Sequence, residues 1–222
     1  MTVCRIDTAR QRQCGLGSLA TLTLTLLLAL AGGCATQGEK MVESFAETRK
    51  TVSEYQRQVD VTLLSLHKLR STPVPALKDG FNTYKDAVEK LEEQGADAKK
   101  RATVLQDRAE SHIKAWEAEM SSLKDPTIKS TMDQRRQAVR SNYKLLMLYA
   151  QDARKAYGPC LAGNKDVVQA LSIDLSPAAI ESLSPSIDRV LLDGAALKEK
   201  LAAMQHALDN IANGVSPLGE MQ

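Results

Sequence analysis

The chain has 222 residues, 25% of them charged and 4% aromatic, with 29 basic side chains against 27 acidic ones. Three of the basic residues (Arg5, Arg10, Arg12) and one acidic residue (Asp7) lie in the first 33, so residues 34–222 hold 26 of each sign and no net charge. A neutral chain of this kind lacks the basic excess of a nucleic-acid binder, and few aromatics beside abundant Ala, Leu, Lys, Glu and Gln favour long helices over sheets.

The chain opens with the positively charged segment 1–15, followed by about 13 mostly apolar residues from Leu19 to Ala31, the length of a signal-peptide core and too short to span a bilayer. Leu27-Leu28-Ala29-Leu30-Ala31-Gly32-Gly33-Cys34 closes this run with small residues and a cysteine. The pattern resembles a bacterial lipoprotein signal, which implies removal of residues 1–33 and acylation of Cys34 as the first mature residue. Leucine is usual three places before that cysteine; here Ala31 holds the place, with Leu30 one further back. Ala29-Leu30-Ala31 also fits ordinary signal cleavage, which would release a soluble periplasmic protein. On the lipoprotein reading several acyl chains, each contributing about 0.8 kcal/mol per buried methylene, anchor the chain. By the same resemblance, Ala35 in place of aspartate after the cysteine directs it to the periplasmic side of the outer membrane. Cys4 and Cys14 leave with the leader, so an acylated Cys34 makes Cys160 the only remaining thiol and excludes an internal disulfide.

Residues 34–39 read as the lipidated cysteine and a polar tether. A heptad pattern then begins, with Met41, Phe45, Thr48, Val52, Tyr55, Val59, Thr62, Leu66 and Leu69 at alternating spacings of four and three. This is one apolar seam on a helix, stopped by Ser71-Thr72-Pro73-Val74-Pro75 because proline disfavours helix in the residue before it. A second helix starts near Pro75-Ala76 with the seam Leu77, Phe81, Tyr84, Val88, Leu91, Gly95, Ala98, Ala102, Leu105 and Ala109. Its register then shifts by one residue to Ile113, Trp116, Met120 and Leu123, a stutter, before Asp125-Pro126 ends it. The third helix carries Met132, Val139, Tyr143, Leu146, Ala150, Ala153, Tyr157, Cys160, Val167 and Leu171 on its seam, with Arg136 in one seam position. Gly158-Pro159 inside this run is expected to kink or split it. Ser176 reads as an N-cap before Pro177, and Ile180, Leu183, Ile187, Val190, Gly194, Leu197, Leu201, Met204, Leu208 and Ile211 form the last seam, restarting at Pro185 and ending near Asn213-Gly214. Short connections imply antiparallel neighbours. The expected fold is all-α, an elongated antiparallel up-down four-helix bundle or coiled coil over residues 40–214, with a tail at 215–222. Its longer central hairpin should overhang the start of the first helix and point a tip of Trp116, Met120, Leu123 and Ile128 toward the membrane.

Catalytic and metal-binding signatures are missing. His67 and His206 fall outside the seams and only His112, at the stutter, turns inward; no Glu-x-x-His pair accompanies them. Ser-x-x-Lys recurs (Ser65/Lys68, Ser111/Lys114, Ser121/Lys124, Ser141/Lys144) without the companion motifs of acyl-transfer enzymes. No catalytic residue, metal site or cofactor is therefore expected. Trp116 suits either a core aromatic at the stutter or an interfacial anchor at the tip. Cys160 reads as a small buried hydrophobe.

Phe81-x-x-Tyr84-Lys85, Ala115-Trp116-Glu117-Ala118-Glu119, Tyr143, Pro159, Leu161 and Ile180-x-x-Leu183 together resemble a family of bacterial lipoproteins, domain of unknown function family 2959. The resemblance covers most of residues 34–222 and implies an extended, coiled-coil-rich helical protein without catalytic residues to carry over. The expectation is a helical scaffold or interaction module that meets the membrane through Cys34 and an envelope protein or a second copy through its helical surface. The alternative is a bundle that holds an apolar small molecule, lipid or metal between its helices.

Overall fold

The apolar seams become five α-helices. The computed structural model describes residues 33–215, with side chains from 39 to 212; the leader and the tail beyond Val215 lie outside the described residues, as does the side chain of Cys34. In order these are α1 (Gly33–Leu69), a 3-10 turn (Val74–Ala76), α2 (Leu77–Ser121), α3 (Pro126–Ile173), α4 (Pro177–Ser182) and α5 (Ser184–Val215). No strand occurs among the described residues, and the fold is all-α.

Helix ends follow local chemistry. At the start of α3 the Asp125 carboxylate accepts from the backbone N–H groups of Thr127 (2.8 Å) and Ile128 (3.0 Å), occupying donors that have no partner inside the helix. Ser176 does the same for Ala179 at 3.2 Å, with Pro177 at the first helical position. Pro185 separates α4 from α5. Two expectations are revised. Residues 35–39, read as a tether, continue α1 toward its start at Gly33. Of the kink or split expected at Gly158-Pro159, the split does not occur: α3 runs unbroken through the pair. Both residues are exposed, so the Lys155 carbonyl that loses its partner to proline can turn to water, and Gly158 has no Cβ to clash with the proline ring.

Side-chain pairs set how the helices run against one another. Gln58 Nε2 of α1 donates to the Ala87 carbonyl of α2 at 2.9 Å, and Arg101 of α2 reaches Glu47 of α1 at 2.8 Å. Residue numbers rise on one helix as they fall on the other, so α1 and α2 are antiparallel. Lys165 of α3 meets Glu92 of α2 near one end of that pair, and Arg136 meets Glu117 near the other. On the other side of α1, Arg49 pairs with Asp209 of α5 at 2.8 Å and Arg70 with Asp188 at 2.6 Å. α5 also packs against α3, Val190 lying beside Gly163. These pairings are those of an up-down arrangement.

The core between the helices is the set of seams. All nine seam residues of α1 are buried, Thr48 and Thr62 included, because each threonine hydroxyl donates to the carbonyl four residues back (2.7 and 2.9 Å). Each Leu, Ile or Val withdrawn fully from water contributes about 1.5–3 kcal/mol. One continuous apolar cluster runs from Met41 and Ile211 to Cys160, and a second holds the α1–α2 turn end around Leu66, Tyr84 and Ile187. Arg136, a charged residue in a seam position, stays largely covered with its side chain 15% exposed, held by Glu117 and by Asp133 at 2.7 Å.

Candidate functional site

Two polar clusters interrupt the apolar seams, and they have different characters. Toward the α1–α2 turn Asn164 occupies a seam position and is fully buried. Its amide donates to the Cys160 carbonyl at 2.7 Å, and its side-chain oxygen accepts from the Tyr84 hydroxyl at 2.9 Å. A satisfied buried network of this kind specifies which helices meet and in what register. Burial, with a smaller contribution from the nearby Asp193 charge, pushes the Cys160 thiol up to about 11. At neutral pH the thiol therefore keeps its proton and is not a nucleophile. Tyr55 packs edge-on to Tyr157, ring centroids 6.0 Å apart, and its buried hydroxyl has no hydrogen-bond partner among the described residues.

The second cluster lies toward the α2–α3 turn, where the seam of α2 stutters. His112 is buried, with Nδ1 3.1 Å from the Tyr143 hydroxyl. Burial lowers the histidine and raises the tyrosine. The neutral pair is thus favoured, with one hydrogen bond shared between Nδ1 and the Tyr143 hydroxyl. Trp116 packs beside His112 with ring centroids 5.7 Å apart, and Phe45 of α1 reaches Tyr143 at 5.8 Å. An imidazole and an indole fill the space that the shifted register opens.

Outside this aromatic wedge α2 and α3 enclose a groove of about 660 Å³. Its floor is Ala109, Ile113, Tyr143, Met147 and Leu148; its rim carries Glu110, Lys114, Glu117, Arg140 and Lys144. Leu148 is 57% exposed and its neighbour Leu145 46%. Glu117 is engaged by Arg136 and lies 3.8 Å from Arg140. Lys114 and Lys144 form no ion pair among the described residues. An apolar trough with charged edges is suited to receive an amphipathic surface.

The four residues expected at the tip are placed differently from one another. Met120 is buried, Trp116 and Leu123 are half-buried, and Ile128 stands 53% exposed. Lys124 and Lys129 near it in sequence and Arg135 two helical turns further along α3 are exposed, none ion-paired among the described residues. Between residues 121 and 144 there are six basic and two acidic side chains, a local charge of +4 on a chain that is otherwise balanced. Both carboxylates are occupied, Asp125 as the cap of α3 and Asp133 on Arg136, whose hydrogen bond holds that carboxyl below its ordinary range. Reading the seams alone missed this concentration because a seam records only apolar residues; which of these cations stay unpaired depends on the fold.

The remaining candidates are simple. His67 and His206 are exposed. Among the described residues, no group of three or more His, Cys, Asp or Glu side chains is placed to hold a metal ion. No described helix is long and apolar enough to cross a membrane. The hydroxyls of Ser65 and Ser121, from two of the Ser-x-x-Lys sequences, donate to backbone carbonyls at 2.8 and 2.6 Å.

Residues 33–216 match the family model described as "Protein of unknown function (DUF2959)", and the chain belongs to that family. No curated protein matches the chain.

Proposed function

We propose that this family member is a lipid-anchored helical scaffold at the periplasmic face of the outer membrane, acylated at Cys34, which catalyses nothing and presents its α2–α3 groove to an envelope protein. The observation that carries the reading is the groove itself: about 660 Å³ with an apolar floor and a rim of both signs of charge. That combination matches an amphipathic helix laid in with its apolar stripe on Ile113, Met147 and Leu148 and its charged flanks against Lys114, Lys144 and Glu110. The apolar run closing in Cys34 supports the anchor, and the helical start of α1 at Gly33 leaves the bundle close to it.

The test places a photo-crosslinking residue at Met147 and, as a control, at Ser71 in the exposed α1–α2 turn. In intact cells a crosslinked envelope protein is expected at 147 and not at 71. No adduct at 147, together with a monomer in sedimentation, would sink the scaffold reading. The anchor has its own test: Cys34→Ala is expected to move the protein from salt-washed membranes to the soluble fraction.

The same groove supports a second reading, in which it holds an apolar small molecule or lipid. Native mass spectrometry of protein taken from its own membrane separates the two, since a retained ligand mass lost on Met147→Lys belongs only to the second.

A further inference from the structure

We infer that the α2–α3 turn is a second membrane contact, Ile128 seating among lipid headgroups while Lys124, Lys129 and Arg135 bind their anionic phosphates. The position of the turn rests on the proposed anchor at Cys34; the chemistry of the turn stands by itself.

Geometry comes first. Arg101 of α2 pairs with Glu47 of α1, and Arg108 reaches the Lys40 carbonyl at 3.4 Å. Seven residues down α1 match seven up α2, and continuing that register sets Cys34 level with about Lys114. From there α2 runs to Ser121, a further distance of about 10 Å at 1.5 Å per residue. The turn 122–125 and the first turn of α3 thus project beyond Cys34 in the direction its acyl chains would take. A headgroup layer is only about 5–8 Å deep on each side of the hydrocarbon. With Cys34 at the surface and the bundle upright, the turn enters that layer.

Its composition fits the place. Ile128 is 53% exposed, with Lys124 and Lys129 on either side of it in sequence. Arg135 adds a third exposed cation; of the nearby carboxylates Asp125 caps α3 and Asp133 is held by Arg136, which leaves Glu119 in the last turn of α2 as one exposed acid against the three cations. An exposed aliphatic side chain accompanied on the same turn and helix by unpaired cations is the pattern of an interfacial contact with anionic lipid. At the opposite end of the bundle Arg70 is paired with Asp188.

The experiment labels Ile128→Cys with a polarity-sensitive fluorophore in the full chain within isolated native membranes. Val74→Cys, 65% exposed at the other end, serves as control. The buried Cys160 does not compete for the label. Blue-shifted emission at 128, quenched by a lipid-borne quencher and absent at 74, is the expected result. The shift should be lost when Lys124, Lys129 and Arg135 are all changed to Glu. In the Cys34→Ala background, the purified protein should show the 128 shift with vesicles of phosphatidylcholine and phosphatidylglycerol, and not with phosphatidylcholine alone. Emission at 128 as water-like as at 74 in both settings would overturn the inference. So would equal shielding of 128 in lipid-free protein that dimerises, since the turn would then be covered by a second copy. A shift with vesicles from a protein that fractionates as soluble in cells would leave this contact standing and remove only the anchor.

Discussion

The ring of Tyr157 lies against the backbone of Gly95, so close that a Cβ added at position 95 would sit 2.7 Å from two ring carbons. Viewed as one residue in a helix, Gly95 is a weakness of up to about 1 kcal/mol relative to Ala. Between two helices it is the space that lets α2 and α3 approach. Gly95→Ala is therefore expected to destabilise the protein by about 1–2 kcal/mol in spite of better helix propensity, since overpacking a filled core costs about 1–3 kcal/mol. Thermal denaturation followed by circular dichroism measures it; an unchanged or higher midpoint would show that the ring moves aside freely.

Pro159 should behave in the opposite way. It sits in the exposed face of a continuous α3 and touches no core seam. Replacing it by alanine restores the hydrogen bond to the Lys155 carbonyl and should stabilise the chain by about 1–3 kcal/mol. Urea denaturation of Pro159→Ala is expected to shift to higher midpoint with unchanged slope.

Two buried tyrosines make a matched pair. The Tyr55 hydroxyl has no partner among the described residues, whereas that of Tyr84 donates to Asn164. Tyr55→Phe is expected to leave stability unchanged or raise it by up to about 1 kcal/mol, because a buried, unmade hydrogen bond is removed. Tyr84→Phe strands the Asn164 oxygen and should lower stability by about 1–3 kcal/mol. Equal effects in the two denaturation curves would contradict the assigned network.

Stability should also fall in mild acid through His112, whose proton affinity burial lowers. Below about pH 6.5, the ordinary histidine value, the unfolded chain takes up a proton that the folded chain refuses. Unfolding is then favoured as pH falls, until the lowered folded value is reached. His112→Gln abolishes this contribution. The wild type should lose more denaturation free energy than the variant between about pH 7.5 and about pH 5.5; parallel losses would mean that His112 charges readily inside the fold.

Much of the fold was legible in the residues. The nine seam residues of α1, from Met41 to Leu69, are all buried, and the stops at Pro73 and Pro126 and the start at Pro177 stand at helix boundaries. The inward turn of His112 followed from its place at the stutter. Asn164 escaped notice because it occupies a seam position as a polar residue, and its justification, the Tyr84 hydroxyl, comes from another helix eighty residues away. Arg136 escaped for the same reason: the carboxylate of Glu117 that keeps it covered lies across the α2–α3 hairpin.

The groove and the basic turn belong to the same category. Periodicity, capping and breaking are properties of one segment and its own backbone, so residues 33–215 carried their helices, their apolar faces and their all-α class in the order of the amino acids. The axial level at which α1 meets α2 and the separation of α2 from α3 around His112, Trp116 and Tyr143 were decided only by packing, as was the choice of which cations are left unpaired. Those depend on side chains brought together from distant parts of the chain. A repeat of apolar residues names the face of a helix to be buried, while the partner across the seam is settled by volume, charge and hydrogen bonds contributed by another segment.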